Sequence, residues 1–170
     1  LDTVGVPPRS TSYNITSGSR YYALNALGML DDEGEYYFDE ETGYLYFKPP
    51  ATGVTSDVYI SVNATVVNLT DVHDIVLQDM NILYAKTLAV RASNVSRVTI
   101  RNVSIGLTSG QGMSVNGEDT LIEGCHIYGI GCSAISIEGG DRSTLTAGNI
   151  TVKDNVIHDW AMVSRSYEGG

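Results

Sequence analysis

Positively charged residues are scarce in this chain, and their scarcity excludes several partners. Ten lysines and arginines stand against twenty aspartates and glutamates, which gives a formal net charge of −10. Binding of nucleic acid requires a basic stripe that neutralises phosphates, so no nucleic-acid partner is predicted. An anionic membrane surface is excluded for the same reason. No apolar run reaches the roughly 18 residues that a membrane-spanning helix needs, so no membrane partner is predicted either.

Cysteine is nearly absent as well. The chain contains only Cys125 and Cys132, which excludes a disulfide-dense scaffold and a C-x-x-C redox or zinc motif. Two alternatives remain open for this pair. A bridge across so short a loop would stabilise the fold by about 2–3 kcal/mol, whereas two thiols would pack as small apolar groups.

Several catalytic and metal-binding motifs are also missing. The sequence has no Ser-His-Asp arrangement, nucleophile elbow or phosphate loop, and no three or four metal ligands converge in it. No cofactor is therefore predicted. Ca²⁺ is the one metal that an acidic cluster could suggest, but the cluster lacks the spacing of an EF-hand and is interpreted as a solvated turn. Its members are Asp31, Asp32, Glu33, Glu35, Asp39, Glu40 and Glu41.

Glycosylation sequons are abundant, by contrast. Each is an asparagine followed two residues later by serine or threonine, with no proline between them. The excess predicts a secreted, extracellular chain that carries N-glycans, although turns also favour Asn and Thr. The chain starts at Leu1 rather than at methionine, which suggests that it is processed or excised from a longer protein. The sequon asparagines are Asn14, Asn63, Asn68, Asn94, Asn102 and Asn149.

A repeated pattern carries the prediction of the fold. Four eight-residue stretches begin at positions 75, 98, 120 and 150, with offsets of 23, 22 and 30 residues. Apolar residues alternate on each side of a central polar break, which predicts two short strands joined by a sharp bend. A period of about 20–25 residues built from short strands is typical of a solenoid. The interior column predicted by this alignment consists of Leu77, Ile100, Ile122 and Val152.

A second set of strands lies between these stretches. Its predicted inward pairs are Val67 and Leu69, Leu88 and Val90, Met113 and Val115, and Ile135 and Ile137. Three outward rows follow from the same alignment: Gln78, Arg101, Glu123 and Lys153; Asn81, Ser104, His126 and Val156; and Arg91, Asn116 and Glu138. The sequence therefore predicts an all-β, right-handed parallel β-helix of about four coils over residues 66–170.

The first 65 residues do not follow the repeat. Residues 22–30 predict a short helix, and residues 34–50 predict a β-hairpin whose turn is at residues 41–43. The end of a solenoid exposes a strand edge and an apolar floor, so residues 1–65 are predicted to form the N-terminal cap. The C-terminal end is predicted to lack a cap and to be covered by a neighbouring copy or by the rest of a longer chain.

Three segments resemble the right-handed parallel β-helix proteins of the pectate-lyase-like superfamily. They are residues 34–50, residues 66–82 and, most specifically, residues 134–160, which contain GGDR at 139–142 and N-x-IHD at 155–159. The closest resemblance is to a group of secreted or periplasmic proteins associated with polysaccharide breakdown. The resemblance implies glycans or a polysaccharide as partners, and it implies more coils than this chain contains.

The resemblance also directs attention to particular side chains. Lyases of this fold use a basic residue, for which the candidates are Arg101, Lys153 and Arg142. Hydrolases of this fold use paired carboxylic acids, for which the candidates are Glu123, Glu138, Asp141 and Asp159. His158 and Asp159 are adjacent, and neighbours in an extended segment point to opposite faces, so His158 is interpreted as holding a turn. His126 has no predicted partner, and His73 with Asp74 is interpreted as a solvated turn.

Two functions remain open at this point. The first is a structural or glycan-binding role for an extracellular, N-glycosylated β-solenoid segment within a larger protein or assembly. The alternative is the N-terminal part of a secreted carbohydrate-active enzyme, either a polysaccharide lyase or a glycoside hydrolase. The alternative depends on fold-level resemblance alone.

Overall fold

The computed structural model describes residues 17–18, 25–54 and 57–164. The chain divides into two compact units, Leu1–Asp57 and Val58–Gly170. Among the described residues only about 2% are helical, and nearly all of the regular structure is β-sheet. The all-β class predicted from the sequence is therefore confirmed.

The first unit contains a short helix and a hairpin. A 3₁₀ helix spans Leu27–Met29, and strands β1 (Tyr36–Phe38) and β2 (Leu45–Phe47) pair antiparallel. The hairpin predicted over residues 34–50 is thus present. The helix is shorter than predicted, and residues 22–24 of the predicted segment lie outside the described residues. The role of this unit as a cap stays a prediction.

The second unit is a parallel β-solenoid. Its strands stack in sheets of four and six strands, and about three turns are formed. Every strand pair in these two sheets is parallel. The strands are β3 (Thr65–Thr70), β4 (Val76–Leu83), β5 (Leu88–Ser96), β6 (Thr99–Thr108), β7 (Gln111–Glu118), β8 (Leu121–Glu123), β9 (His126–Ile130), β10 (Ile135–Glu138), β11 (Thr151–Lys153) and β12 (Val156–His158).

The predicted interior column is confirmed. Leu77 pairs with Ile100, Ile100 with Ile122, and Ile122 with Val152. Ile100 and Ile122 are fully buried because a rung covers each of them on both sides. Val152 belongs to the last described rung and is 42% exposed. Each rung therefore buries its apolar side chains only when a neighbouring rung is present.

Residues in the left-handed conformation produce the bends between the paired strands. Asp79, Asn102, Gly124 and Asp154 stand at the polar break of successive rungs, with φ values of 57°, 50°, 60° and 57°. Glycine, asparagine and aspartate tolerate this conformation better than other residues do. The Asn102 side-chain amide also donates a hydrogen bond of 2.6 Å to the Asp79 carboxylate. The residue at the polar break thus adopts the same backbone conformation in each rung.

The structure corrects part of the second strand alignment. Val67 pairs with Val90 rather than with Leu88, and Val90 pairs with Met113. The predicted row of Arg91, Asn116 and Glu138 is wrong for its first member, because Arg91 pairs with Ser114. Its other two members do pair. The physical reason is that a slip of two residues keeps every side chain on the same face, so alternation alone cannot detect it.

Cys125 is a free thiol, so the disulfide with Cys132 that the sequence left open is not formed. Cys125 is buried in the interior stack, where its Sγ lies 3.4 Å from the Glu123 carbonyl oxygen. Burial raises the pKa of the Cys125 thiol. Cys132 lies on the corner that follows β9, outside that stack.

Candidate functional site

An open groove of about 960 Å³ lies at one corner of the solenoid. Three stacked segments line it where β5, β7 and β10 end, namely residues 94–96, 116–118 and 137–142, together with Thr144 and Thr146. The parallel register explains the stacking, since Ser96 pairs with Glu118 and Asn116 pairs with Glu138. Side chains that are distant in the sequence therefore meet along one concave surface.

The groove is rich in polar side chains. Amide groups come from Asn94 and Asn116, and carboxylates come from Glu118, Glu138 and Asp141. The amide of Asn116 lies 3.3 Å from the Glu138 carboxylate and donates a hydrogen bond to it. A guanidinium is contributed by Arg142. The guanidinium donates hydrogen bonds, the carboxylates accept them and the amides do both, so together these groups can bind polyhydroxylated ligands.

The GGDR segment forms the wall of this groove. Asp141 and Thr146 exchange two backbone hydrogen bonds, of 2.9 and 3.0 Å. Gly139 and Gly140 precede this small hairpin, and a Cβ on either would overlap a backbone carbonyl oxygen. Gly140 also has a φ of 74°, which glycine adopts without strain. The two glycines therefore allow the hairpin to fold closely against the strand end.

Asp141 is held as a carboxylate by its own loop. Its Oδ1 accepts hydrogen bonds of 2.6 Å from the Ser143 hydroxyl and 2.8 Å from the Ser143 amide. These bonds, led by the hydroxyl, lower the pKa of Asp141 below its ordinary value of 3.8. A carboxyl group with a lowered pKa is a poor general acid. The contacts of the predicted candidate Asp141 thus stabilise the loop that forms the groove wall.

Glu123 lies away from the groove, on the six-stranded sheet. Its carboxylate forms an ion pair of 3.0 Å with Lys153, and this contact raises the pKa of Lys153. Arg101 occupies the neighbouring rung and donates a hydrogen bond of 2.8 Å to Gln78. The predicted outward row is confirmed by the register, and Glu123 and Lys153 form an ion pair across two of its rungs.

His158 and Asp159 are brought together, contrary to the prediction from their adjacency. Asp159 has a φ of 53°, so the backbone folds back and its carboxylate reaches His158 Nδ1 at 2.8 Å. His158 Nε2 in turn lies 2.8 Å from Nε2 of His126. His126 therefore has a partner, which the sequence did not indicate.

A second His-Asp pair shows the same local geometry. Asp74 has a φ of 58°, and its carboxylate lies 2.7 Å from His73 Nδ1. Arg97 donates two hydrogen bonds to this carboxylate, of 2.7 and 2.8 Å, and together with His73 it holds the pKa of Asp74 well below its usual range. The segment interpreted as a turn thus makes specific contacts with the neighbouring rung.

Three sequon asparagines occupy left-handed corner positions. Asn94, Asn102 and Asn149 each donate a side-chain hydrogen bond to an aspartate of the preceding turn, at 2.7, 2.6 and 3.0 Å. Asn63 and Asn68 are exposed and follow a different pattern. Asn14 lies outside the described residues. The Asn94, Asn102 and Asn149 sequons therefore have a structural role besides the predicted attachment of glycans.

The acidic cluster of the first unit caps turns. Ligand atoms of Asp31, Asp32 and Glu35 lie within 4.8 Å of one another. The Glu35 carboxylate, however, accepts the backbone amides of Asp31 and Asp32, each at 2.8 Å. These backbone hydrogen bonds lower the pKa of Glu35. Asp39 similarly accepts the amides of two turn residues.

Sequence reasoning missed Glu118 and Tyr128. Glu118 enters the groove through the register of β5 and β7. Tyr128 stacks on both histidine rings, with centroids 4.8 Å from His126 and 5.9 Å from His158. In each case the signal is the register of adjacent rungs, because no local motif marks either residue.

Comparisons of the chain with protein-family models, with curated proteins and with solved structures find no match. Among the described residues, no helix has the length and apolar character required to cross a membrane.

Proposed function

We propose that this chain is an extracellular, N-glycosylated β-solenoid segment that binds a glycan in the corner groove. The observation that carries the proposal is the lining of the groove, which combines amide, carboxylate, guanidinium and hydroxyl groups from three successive rungs. Sugar hydroxyl groups both donate and accept hydrogen bonds, so a ligand of this class can satisfy the whole set. The resemblance of the GGDR segment to polysaccharide-associated β-helix proteins supports the same ligand class.

The groove also suits an extended ligand. It is built from equivalent positions of stacked turns, so polar groups recur along the solenoid axis at roughly 4.8 Å intervals. An oligosaccharide repeats its hydroxyl groups along its own length. We therefore propose a chain-like glycan as the ligand, rather than a single monosaccharide.

Arg142 provides a direct test. The substitution Arg142→Ala removes a guanidinium from the groove, and Arg101→Ala removes the same group from the six-stranded sheet. A charge-assisted hydrogen bond contributes about 1.5–3 kcal/mol, so Arg142→Ala should weaken binding at least ~10-fold. Arg101→Ala should leave binding unchanged. The measurement is a glycan-array screen followed by calorimetry on the best ligand.

Two outcomes of this test would contradict the proposal. One is the absence of binding to any glycan on the array. The other is an equal loss of affinity in both arginine variants, since that result would place the ligand outside the groove. Mass spectrometry of a secreted preparation after glycosidase treatment tests the N-glycans separately, through the mass change at each deglycosylated asparagine.

A carbohydrate-active enzyme remains the second candidate function. The specific observation in its favour is that the groove contains several carboxylates, of which Glu138 is a candidate acid or base. Incubation with polysaccharides should then release reducing ends or unsaturated products, and Glu138→Gln should abolish the release. Glu123→Gln is the matched control, because Glu123 lies on a different sheet. Product release that survives Glu138→Gln would remove this candidate.

A further inference from the structure

Two imidazole rings meet on the outward face of the six-stranded sheet. His126 begins β9, and His158 ends β12. In the parallel register His126 pairs with Val156 and Tyr128 pairs with His158, so the histidines are diagonal neighbours. Their Nε2 atoms are 2.8 Å apart. Both residues are exposed, and the side chain of His158 retains 47% of its accessible surface.

The aspartate beside this pair orients one of the rings. A carboxylate can only accept a hydrogen bond, so Asp159 takes the hydrogen of His158 Nδ1 at 2.8 Å. The Nε2 atom of neutral His158 then presents its lone pair towards His126. A carboxylate that holds the far nitrogen of an imidazole is the arrangement by which proteins orient metal-binding histidines. Tyr128 stacks against both rings and restricts their movement further.

We propose that His126 and His158 bind one divalent transition-metal ion through their Nε2 atoms. The ion replaces the hydrogen bond between the two rings, and His126 keeps its single proton by carrying it on Nδ1. No proton is released in this exchange, since both imidazoles remain neutral. Water completes the coordination shell of the ion. Asp159 is a positioning residue, because it acts through His158 and does not contact the ion.

The distance between the nitrogens is close to the separation of two ligands on one ion. With metal–nitrogen bonds of about 2.0 Å, a right angle at the metal separates the two nitrogens by about 2.8 Å, and a tetrahedral angle separates them by about 3.3 Å. The observed separation of 2.8 Å corresponds to the right angle. Square-planar and tetragonal sites with nitrogen and oxygen ligands favour Cu²⁺ and Ni²⁺. The rings need to pivot about their Cβ–Cγ bonds so that both lone pairs face the ion.

The third histidine of the chain provides a matched control. His73 makes the same local contact with an aspartate of left-handed conformation. The chain contains only three histidines, and the other two form the proposed site. A His73→Gln variant therefore removes an imidazole–carboxylate pair without touching His126 or His158.

The test uses the untagged chain titrated with NiCl₂ and with CuCl₂ by calorimetry. We expect about one ion to bind per chain, at least ~10-fold weaker binding in His126→Gln and in His158→Gln, and unchanged binding in His73→Gln. Asp159→Asn should weaken binding by about 10–100-fold. Binding that persists in the double variant His126→Gln/His158→Gln would overturn the proposed site. Unchanged binding in Asp159→Asn would overturn the positioning role of Asp159.

A spectroscopic readout on the unaltered chain keeps the proposal falsifiable without any variant. Electron paramagnetic resonance of the Cu²⁺-loaded chain should show hyperfine coupling to two imidazole nitrogens and a tetragonal g tensor. A spectrum without imidazole nitrogen, or with only one, would overturn the assignment. A spectrum without any imidazole nitrogen would instead indicate that carboxylates such as those of the acidic cluster hold the ion.

Discussion

Truncation of one buried side chain in the middle of the interior column should destabilise the solenoid far more than truncation at its last described rung. Ile100→Ala removes three carbon atoms from a fully buried position. At about 0.8 kcal/mol for each buried carbon, the lost transfer free energy is about 2.4 kcal/mol. The cavity left between Leu77 and Ile122 adds to this cost, so we expect a loss of about 3–4 kcal/mol in the free energy of unfolding.

Val152→Ala is the matched control in the same column. It removes two carbon atoms from a residue that is 42% exposed. The same area argument, applied to the buried part of the side chain alone, predicts a loss of about 1 kcal/mol. The difference between the two variants follows from the number of rungs that cover each residue, because the two side chains otherwise occupy equivalent inward positions.

Urea denaturation followed by circular dichroism measures both losses. With an m-value of about 1–3 kcal/mol per molar of urea, Ile100→Ala should lower the midpoint by roughly 1–4 M. Val152→Ala should lower the midpoint by roughly a third of the shift expected for Ile100→Ala. Equal shifts in the two variants would refute the reasoning, because they would show that burial by neighbouring rungs does not determine the contribution of a column residue.

Three further predictions concern other parts of the chain. The pKa of Asp141 is lowered in the folded chain, so its loop contacts stabilise the fold above the ordinary pKa of 3.8 and are lost as pH falls through the pKa of the folded chain. A carboxyl NMR titration should show this low midpoint, and Ser143→Ala should move the midpoint upward. Cys125 should resist alkylation until the chain is denatured, because it is buried and the pKa of its thiol is raised, and rapid native labelling detected by mass spectrometry would contradict that. Gly131→Ala should cost about 1–3 kcal/mol in thermal unfolding, because a Cβ there overlaps a carbonyl oxygen of the preceding turn, whereas Gly28→Ala has open space and should change stability by no more than about 0.5 kcal/mol.

The fold was predictable because both the apolar and the polar positions of its repeat recur along the sequence. The inward column through Ile100 and Ile122 follows from alternation, and the bends at Asp79 and Asn102 follow from the polar break. The register of β3 on β5 was not predictable, because Leu88 and Val90 are both apolar and face the same side of the strand. Hydrogen bonding between the rungs selects Val90 as the partner of Val67.

The candidate sites depend on contacts that no local pattern encodes. His126 and His158 are 32 positions apart, and they meet only because the longer turn between them returns the chain to the parallel register. The contact of His158 with Asp159 requires a left-handed backbone at Asp159, which an extended segment would not have. Glu118 likewise joins the groove through its rung neighbour Ser96. Prediction of such contacts requires the register of the strands, beyond their number and order.

The turn that contains the GGDR hairpin is longer than the others, yet Thr151–Lys153 still aligns with Leu121–Glu123. The additional residues protrude at one corner and leave the stacked interior undisturbed. Extra residues can therefore be accommodated at this corner without a change in the buried contacts that stabilise the solenoid. Length and composition can therefore vary at this corner while the remainder of each coil stays fixed.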